Sequence, residues 1–201
     1  AHGLLWYLYY HVVLLHFAGP SFMQSELKYL ETHKPEIEYS FTGSYSAIPR
    51  YPRVQFNPKL GFFRGQVISS LLQLLRSPRG TNLRMVEVGV DVGNCSEYVL
   101  EAVPDLQWIG VDPYPNLESN VDGQMTPDSR YATALARITR FSKRASLLRM
   151  PSMDAAAWIQ DRSLDLVFVD GLHTYESVLF DIQTWVSKIR PGGILAGHDY
   201  D

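Results

Sequence analysis

The sequence predicts an α/β protein, a doubly wound parallel sheet with helices on both faces. Three observations carry that prediction. Short apolar runs recur at 85–90, 108–112, 146–150, 164–170 and 194–197, as strands buried on both faces require. Helical stripes, with apolar residues three and four apart, alternate with those runs. The runs lead into glycine or polar residues, so polar chemistry gathers at the carboxyl ends of the strands, where open α/β sheets bind ligands. The 201 residues are 46% hydrophobic and 19% charged, an ordinary globular balance for one domain with its own core. A net charge of −3 with signs interspersed excludes a nucleic-acid footprint. The single cysteine, Cys95, excludes an intrachain disulfide framework and favours a reducing compartment, so the expected location is cytoplasmic.

The elements follow in order. Leu4 to Ala18 is almost continuously apolar and aromatic, too short for a confident membrane span and without the basic start of a signal peptide. It reads as a buried helix; a cropped membrane anchor is the less favoured alternative. The absent initiator Met marks a fragment or a processed chain. Ser21 with Gln24 forms a capping box for a helix carrying Met23, Leu27 and Leu30. Residues 35–65 are irregular, with Pro35, Pro49, Pro52 and Pro58 among seven scattered aromatics. Those aromatics are expected to pack on the domain. Residues 1–60 thus form a helical, aromatic-rich extension, and 61–201 form the main domain. Val67, Ile68, Leu71, Leu72 and Leu75 mark a helix leading into the central strand.

That strand opens the stretch around which the chain is organised. Met85 to Val90 passes into a turn holding Gly89 and Gly93, and a helix restarts at Asn94, with Glu97 as its capping partner and Pro104 as its stop. Glycines let backbone N–H groups approach a ligand, and the helix N-terminus adds a positive field. The Asn94-Cys95-Ser96 sequon reads as chance, because a glycan would block the turn. Asp112 ends the next strand, 23 residues after Gly89, where a carboxylate can accept the hydroxyls of a ribose. Residues 113–127 are a Pro- and Asn-rich loop, and Tyr131, Leu135 and Ile138 mark the following helix face. Ser152 caps a helix with Trp158 and Ile159. Val178, Ile182, Trp185 and Ile189 mark a long helix that Arg190-Pro191-Gly192-Gly193 terminates. Asp161 and Asp165 read as surface charges, and Asp181 as facing solvent.

Glu87-x-Gly89-x-x-x-Gly93, Asp112, Val169-Asp170-Gly171-Leu172-His173-Thr174-Tyr175-Glu176 and Arg190 to Tyr200 together resemble the class I S-adenosylmethionine-dependent methyltransferases. The match is to the group containing small-molecule and sugar O-methyltransferases, the methyltransferase 24-like enzymes, and covers residues 67–201. The resemblance implies a Rossmann-like fold and S-adenosylmethionine as cofactor, held by Glu87, Gly89, Val90, Gly93, Asp112, Ser152, Met153 and Asp170. Gly89 and Gly93 would flank its methionine moiety, and Ser152 and Met153 its adenine. The family sheet has seven strands and only five are readable, so its last hairpin is expected to be missing, by truncation after Asp201.

Methyl transfer to a hydroxyl needs positioning and removal of one proton, by a base or by a divalent metal that acidifies the hydroxyl. His173, with Asp170, is the expected catalytic pair. By resemblance to the metal-dependent enzymes, Asp170, His198 and Asp199 fall on metal-ligand positions. His198 departs from the acid usual there, which leaves manganese, iron or zinc open beside magnesium. The expected activity is therefore methylation of a hydroxyl on a small molecule, with metal assistance as an option. Weighed against it are a non-catalytic binding or scaffold domain, a nicotinamide oxidoreductase that lacks the third fingerprint glycine, and an iron oxygenase using His173 and His198. The acceptor and the oligomeric state are not legible.

Overall fold

The computed structural model describes residues 6–9, 12–16, 63–76, 82–115 and 125–198. Seven strands form one sheet: β1 Trp6–Tyr9, β2 Val12–His16, β3 Arg84–Val88, β4 Gln107–Val111, β5 Ala145–Leu148, β6 Leu164–Val169 and β7 Ile189–His198. Their order across the sheet is β1-β2-β7-β6-β3-β4-β5. The five strands from β3 onward are all parallel. Helices α1 Phe63–Arg76, α2 Asn94–Ala102, α3 Pro127–Ile138, α4 Ser152–Ala157 and α5 Tyr175–Val186 connect or precede them. The predicted doubly wound sheet is what the chain forms.

Alternation along the strands splits the core in two. Met85, Trp108, Leu166 and Phe168 face one side, where they pack with Ile68, Leu72, Val99, Leu100 and Ile138 of α1, α2 and α3. Val86, Val88, Val167 and Val169 face the other, against Ala155, Ile159 and Trp185. The α1 stripe is buried as its spacing predicted, with Ile68 and Leu72 fully enclosed. On α3 the buried positions are Ala134 and Ile138, while the predicted Leu135 is 42% exposed. Cys95 is buried beside the turn, as expected.

Three further expectations are corrected. Within the stretch read as a buried helix, the described residues 6–9 and 12–16 are strands, β1 and β2, which pair antiparallel. Trp-Tyr-Leu-Tyr and Val-Val-Leu-Leu are aromatic and β-branched or aliphatic, which suits a pleated surface, and an unbroken apolar run carries no period to decide between the two. β2 adds antiparallel to β7, with Val12 opposite His198 and His16 opposite Ile194. The five predicted parallel strands form, and β2 and β1 extend them to seven strands among the described residues. The capping-box helix after Ser21 and nearly all of the 35–65 segment lie outside the described residues. Among the described residues no helix is long and apolar enough to cross a membrane.

The second correction concerns 187–193, and the third the acids packed near it. Helix α5 stops at Val186, and Ile189 to Gly193 belong to β7. The reason is an ion pair. Arg190 Nε donates to Asp165 Oδ1 at 2.5 Å, and both side chains are only 8% exposed. Asp165 Oδ2 also accepts the backbone N–H of Arg84 at 2.8 Å, so this carboxylate ties β6 to both neighbours. A register shift between Leu164 and Leu166 accommodates it. Asp165 is thus buried and not a surface charge, and Asp181 is also buried. Exposed Asp161 does pair at the surface, with Lys188.

Asp165→Ala should cost about 3–5 kcal/mol, because it strands a buried guanidinium and an N–H. The double variant Asp165→Leu/Arg190→Met should lose markedly less than the two single changes summed. Urea midpoints of the four proteins check this.

Candidate active site

Under the turn after β3 lies a carboxyl in the core. Glu87 is 1% exposed and points to the α2 side of the sheet. Its Oε2 accepts from Ser96 Oγ at 2.8 Å and from Trp108 Nε1 at 2.9 Å. Trp108 can reach it because Gly110, directly opposite Glu87 in the β3–β4 register, has no side chain. A Cβ on Gly110 would stand 2.1 Å from the indole ring. Burial raises the Glu87 pKa from 4.5 to about 7, and the two hydrogen bonds offset only part of that. The side chain is enclosed by protein, so Glu87 supports the turn from below.

The turn itself is set by backbone geometry. Gly89 has φ +88°, and a Cβ there would meet the Asp170 carbonyl at 2.1 Å. Its N–H donates to Val111 O at 2.9 Å. Gly93, at φ +78°, caps α2, and Glu97 N donates to its carbonyl. Asn94 is the first helical residue and not the cap, while Glu97 pairs with Arg137 and Arg140. Asp112 closes the turn from the next strand: Oδ2 accepts the N–H groups of Val90 and Asp91, both at 3.0 Å, and Oδ1 accepts that of Tyr114 at 2.8 Å. Tyr114, buried, donates in return to Asp91 O at 2.8 Å.

Across the turn, at the end of β6, Asp170 is a hub. Its Oδ2 accepts from Arg64 Nη1 at 2.5 Å. Its Oδ1 lies 3.5 Å from His198 Nδ1 and 3.8 Å from His173 Nε2. The Asp170 side chain is 9% exposed and that of His173 is 50% exposed, so the imidazole is the outward partner. Asp170 and His173 thus come together as predicted. Among the described residues no three His, Cys, Asp or Glu side chains are grouped to hold a metal ion. Of the expected metal set, Asp170 and His198 lie side by side, a guanidinium holds the other oxygen of Asp170, and Asp199 lies outside the described residues.

Beyond β5, Ser152 opens α4 and its hydroxyl accepts from Trp185 Nε1 at 2.7 Å. A second hydrogen bond joins it to Asp181, whose pKa burial raises. Met153 beside it is 56% exposed. Arg149 stacks on Tyr131 at 5.1 Å and pairs with Asp128. A cavity of about 690 Å³ lies elsewhere, between α2 and α3, lined by Glu97, Arg137 and Arg140. Its lining includes none of the strand-end acids or histidines, and its charges already pair with one another.

Residues 86–200 match the family model described as a methyltransferase domain. The chain belongs to that family. The recognition read from its motifs therefore holds. A stretch of 69 residues is 33% identical to an uncharacterized protein of Sinorhizobium fredii, covering 34% of this chain and 8% of that protein. Among solved structures, a Corynebacterium glutamicum protein is similar with a TM-score of 0.47 and 16% identity, over 63% of this chain and 54% of that one. An N-methyltransferase from Bradyrhizobium japonicum, in complex with S-adenosylhomocysteine, gives 0.43 and 18%, over 67% and 61%. The chain thus spans about half the length of the first of these structures and a small part of the curated relative.

In this methyltransferase domain two side chains that pack at the strand ends had no sequence signal. Arg64 stands 106 residues before its partner Asp170, in the first turn of α1. Tyr114 reads as a loop aromatic, yet its ring packs edge-on against Tyr131 at 5.3 Å.

Glu87 gives a pH prediction. Its folded pKa of about 7 lies above the ordinary 4.5, so the stability of the protonated form is intact below pH 4.5. That stability is lost as pH rises through 7, amounting to roughly 3 kcal/mol in all. Glu87→Gln keeps an acceptor for both donors and should flatten this slope, with a higher urea midpoint than wild type at pH 8 and little difference at pH 4.5. Equal slopes in the two proteins would remove Glu87 as the titrating group.

Proposed function

We propose that the chain transfers a methyl group from S-adenosylmethionine to a hydroxyl of a small molecule. The observation that carries this reading is the Asp170 hub, which places an outward imidazole beside the glycine turn at the carboxyl edge of the sheet. The donor set fits the cofactor. Asp112 Oδ1 accepts one backbone N–H and keeps acceptor capacity for a ribose hydroxyl. Gly89, Asp91 and Gly93 all turn the chain at positive φ. When bound, S-adenosylmethionine supplies a methyl group on a positively charged sulfur.

The chain's own residues then do three things. Asp112 and the turn orient the donor end. His173 takes the acceptor's hydroxyl proton at Nδ1, while Asp170, on the Nε2 side, orients the ring. Hydroxyl transfer is preferred over transfer to an amine because the hub offers a base poised for a proton. An amine free in its neutral form needs no such removal before attack.

Calorimetric titration with S-adenosylmethionine should show one site. Asp112→Ala should weaken it at least about tenfold, the worth of one charged hydrogen bond. His173→Ala should leave that affinity unchanged and slow methyl transfer to a phenol or sugar acceptor by roughly 10²–10⁴. A folded chain that binds no cofactor would overturn the reading in favour of a binding or scaffold domain, which should keep its partner in the Asp112→Ala/Asp170→Ala double variant.

A further inference from the structure

We propose that Arg64 is the fixed cation of the acceptor site, standing where a divalent metal would otherwise be needed, so that hydroxyl methylation by this chain runs without metal. The inference rests on the methyl-transfer reading above and deepens it. Resemblance assigned Asp170 to a metal, but the structure gives both carboxylate oxygens other neighbours. Oδ2 is engaged by the guanidinium at 2.5 Å, a charge-assisted bond on a nearly enclosed carboxylate. Oδ1 faces two imidazole nitrogens, His198 Nδ1 at 3.5 Å and His173 Nε2 at 3.8 Å.

Among the described residues, those two nitrogens with Oδ1 are the donors a transition ion would meet beside Asp170. An ion there would lie across a single carboxylate from a guanidinium that stays charged at any working pH. Its binding would have to overcome that repulsion, or displace Arg64 and leave α1 without its anchor to β6. Arg64 also does locally part of what a metal does. It fixes Asp170 in one orientation, and with 35% of its side chain exposed it adds positive potential where the acceptor oxygen gains negative charge. What it does not do is ionise the hydroxyl by direct coordination, so the proton goes to the imidazole.

The probe is Mn²⁺ itself, titrated into the full chain and followed by the electron paramagnetic resonance of the free ion. Calorimetry with S-adenosylmethionine runs in parallel on every variant. The wild-type chain and Asp170→Asn should leave the same free-ion signal, since the carboxylate contributes no metal site. Arg64→Met, which opens Oδ2, should take up Mn²⁺ at least tenfold more tightly than wild type, and adding Asp170→Asn should abolish the gain. One equivalent bound by wild type and lost in Asp170→Asn would overturn the proposal. So would an Arg64→Met chain that still binds S-adenosylmethionine but gains no affinity for Mn²⁺. Loss of cofactor binding in wild type would sink the methyl-transfer reading instead, and the metal result would stand apart from it.

Discussion

A carboxyl group with no water around it has to be held by its neighbours, and Glu87 obliges several elements at once. Its two donors, Ser96 and Trp108, come from α2 and β4, so the hydrogen bonds fix the helix start and the neighbouring strand relative to β3. Trp108 needs the space above Gly110, and Gly110 has to sit opposite Glu87 for that space to be in the right place. A slip of one residue would turn Glu87 to the valine-rich face, where Val86 and Val88 now pack, and leave it without a donor. The register of the central strand pair is thereby fixed by one buried polar group as well as by hydrophobic alternation.

From that register the site follows by short links. With α2 seated by Ser96, Gly93 has to turn the chain at positive φ, and the N–H groups of Val90 and Asp91 are left facing the end of β4. Asp112 stands there and takes both. On the other side of β3, the close approach of Gly89 to the Asp170 carbonyl draws the end of β6 under the turn. The glycine turn and the Asp170 hub are therefore directly packed together. The charges within it are coupled as well: Asp170 raises the pKa of Glu87 while Arg64 lowers it, both secondary to burial. Removing the guanidinium would be felt in the core as well as at the surface.

Much of this was legible in the residues. The strand runs, the glycine turn and the acids at strand ends are local patterns, and local patterns survive into the fold. What was not legible is non-local or aperiodic. Arg64 carries no motif, and only the packing of α1 on β6 reveals its partner. Asp165 and Asp181 look like solvent charges until the elements that bury them are in place. The Arg-Pro-Gly-Gly segment has every mark of a helix stop, and it does follow α5, but the buried Arg190 makes it part of a strand. The 6–16 hairpin was misread because apolar residues on both sides of a strand erase the alternation that identifies one.

The hub also explains why the two histidines predicted for the site are not equivalent. His198 ends β7, is 16% exposed and approaches Asp170 through Nδ1, whereas His173 lies in the loop before α5, half exposed, and approaches through Nε2. A base has to be reachable by an acceptor, free to rotate by a few degrees, and backed by a negative group. On the proposed reading His173 is the more exposed of the two and has Asp170 beside it. His198, pinned in a strand whose next neighbour is β2, meets only the last condition. Its place is better suited to shaping the charge on Oδ1, so that the carboxylate has a positive guanidinium on one oxygen and a polar wall on the other. Such an arrangement makes His173 the outward imidazole beside Asp170, and that difference between the two histidines is a consequence of where the strands end.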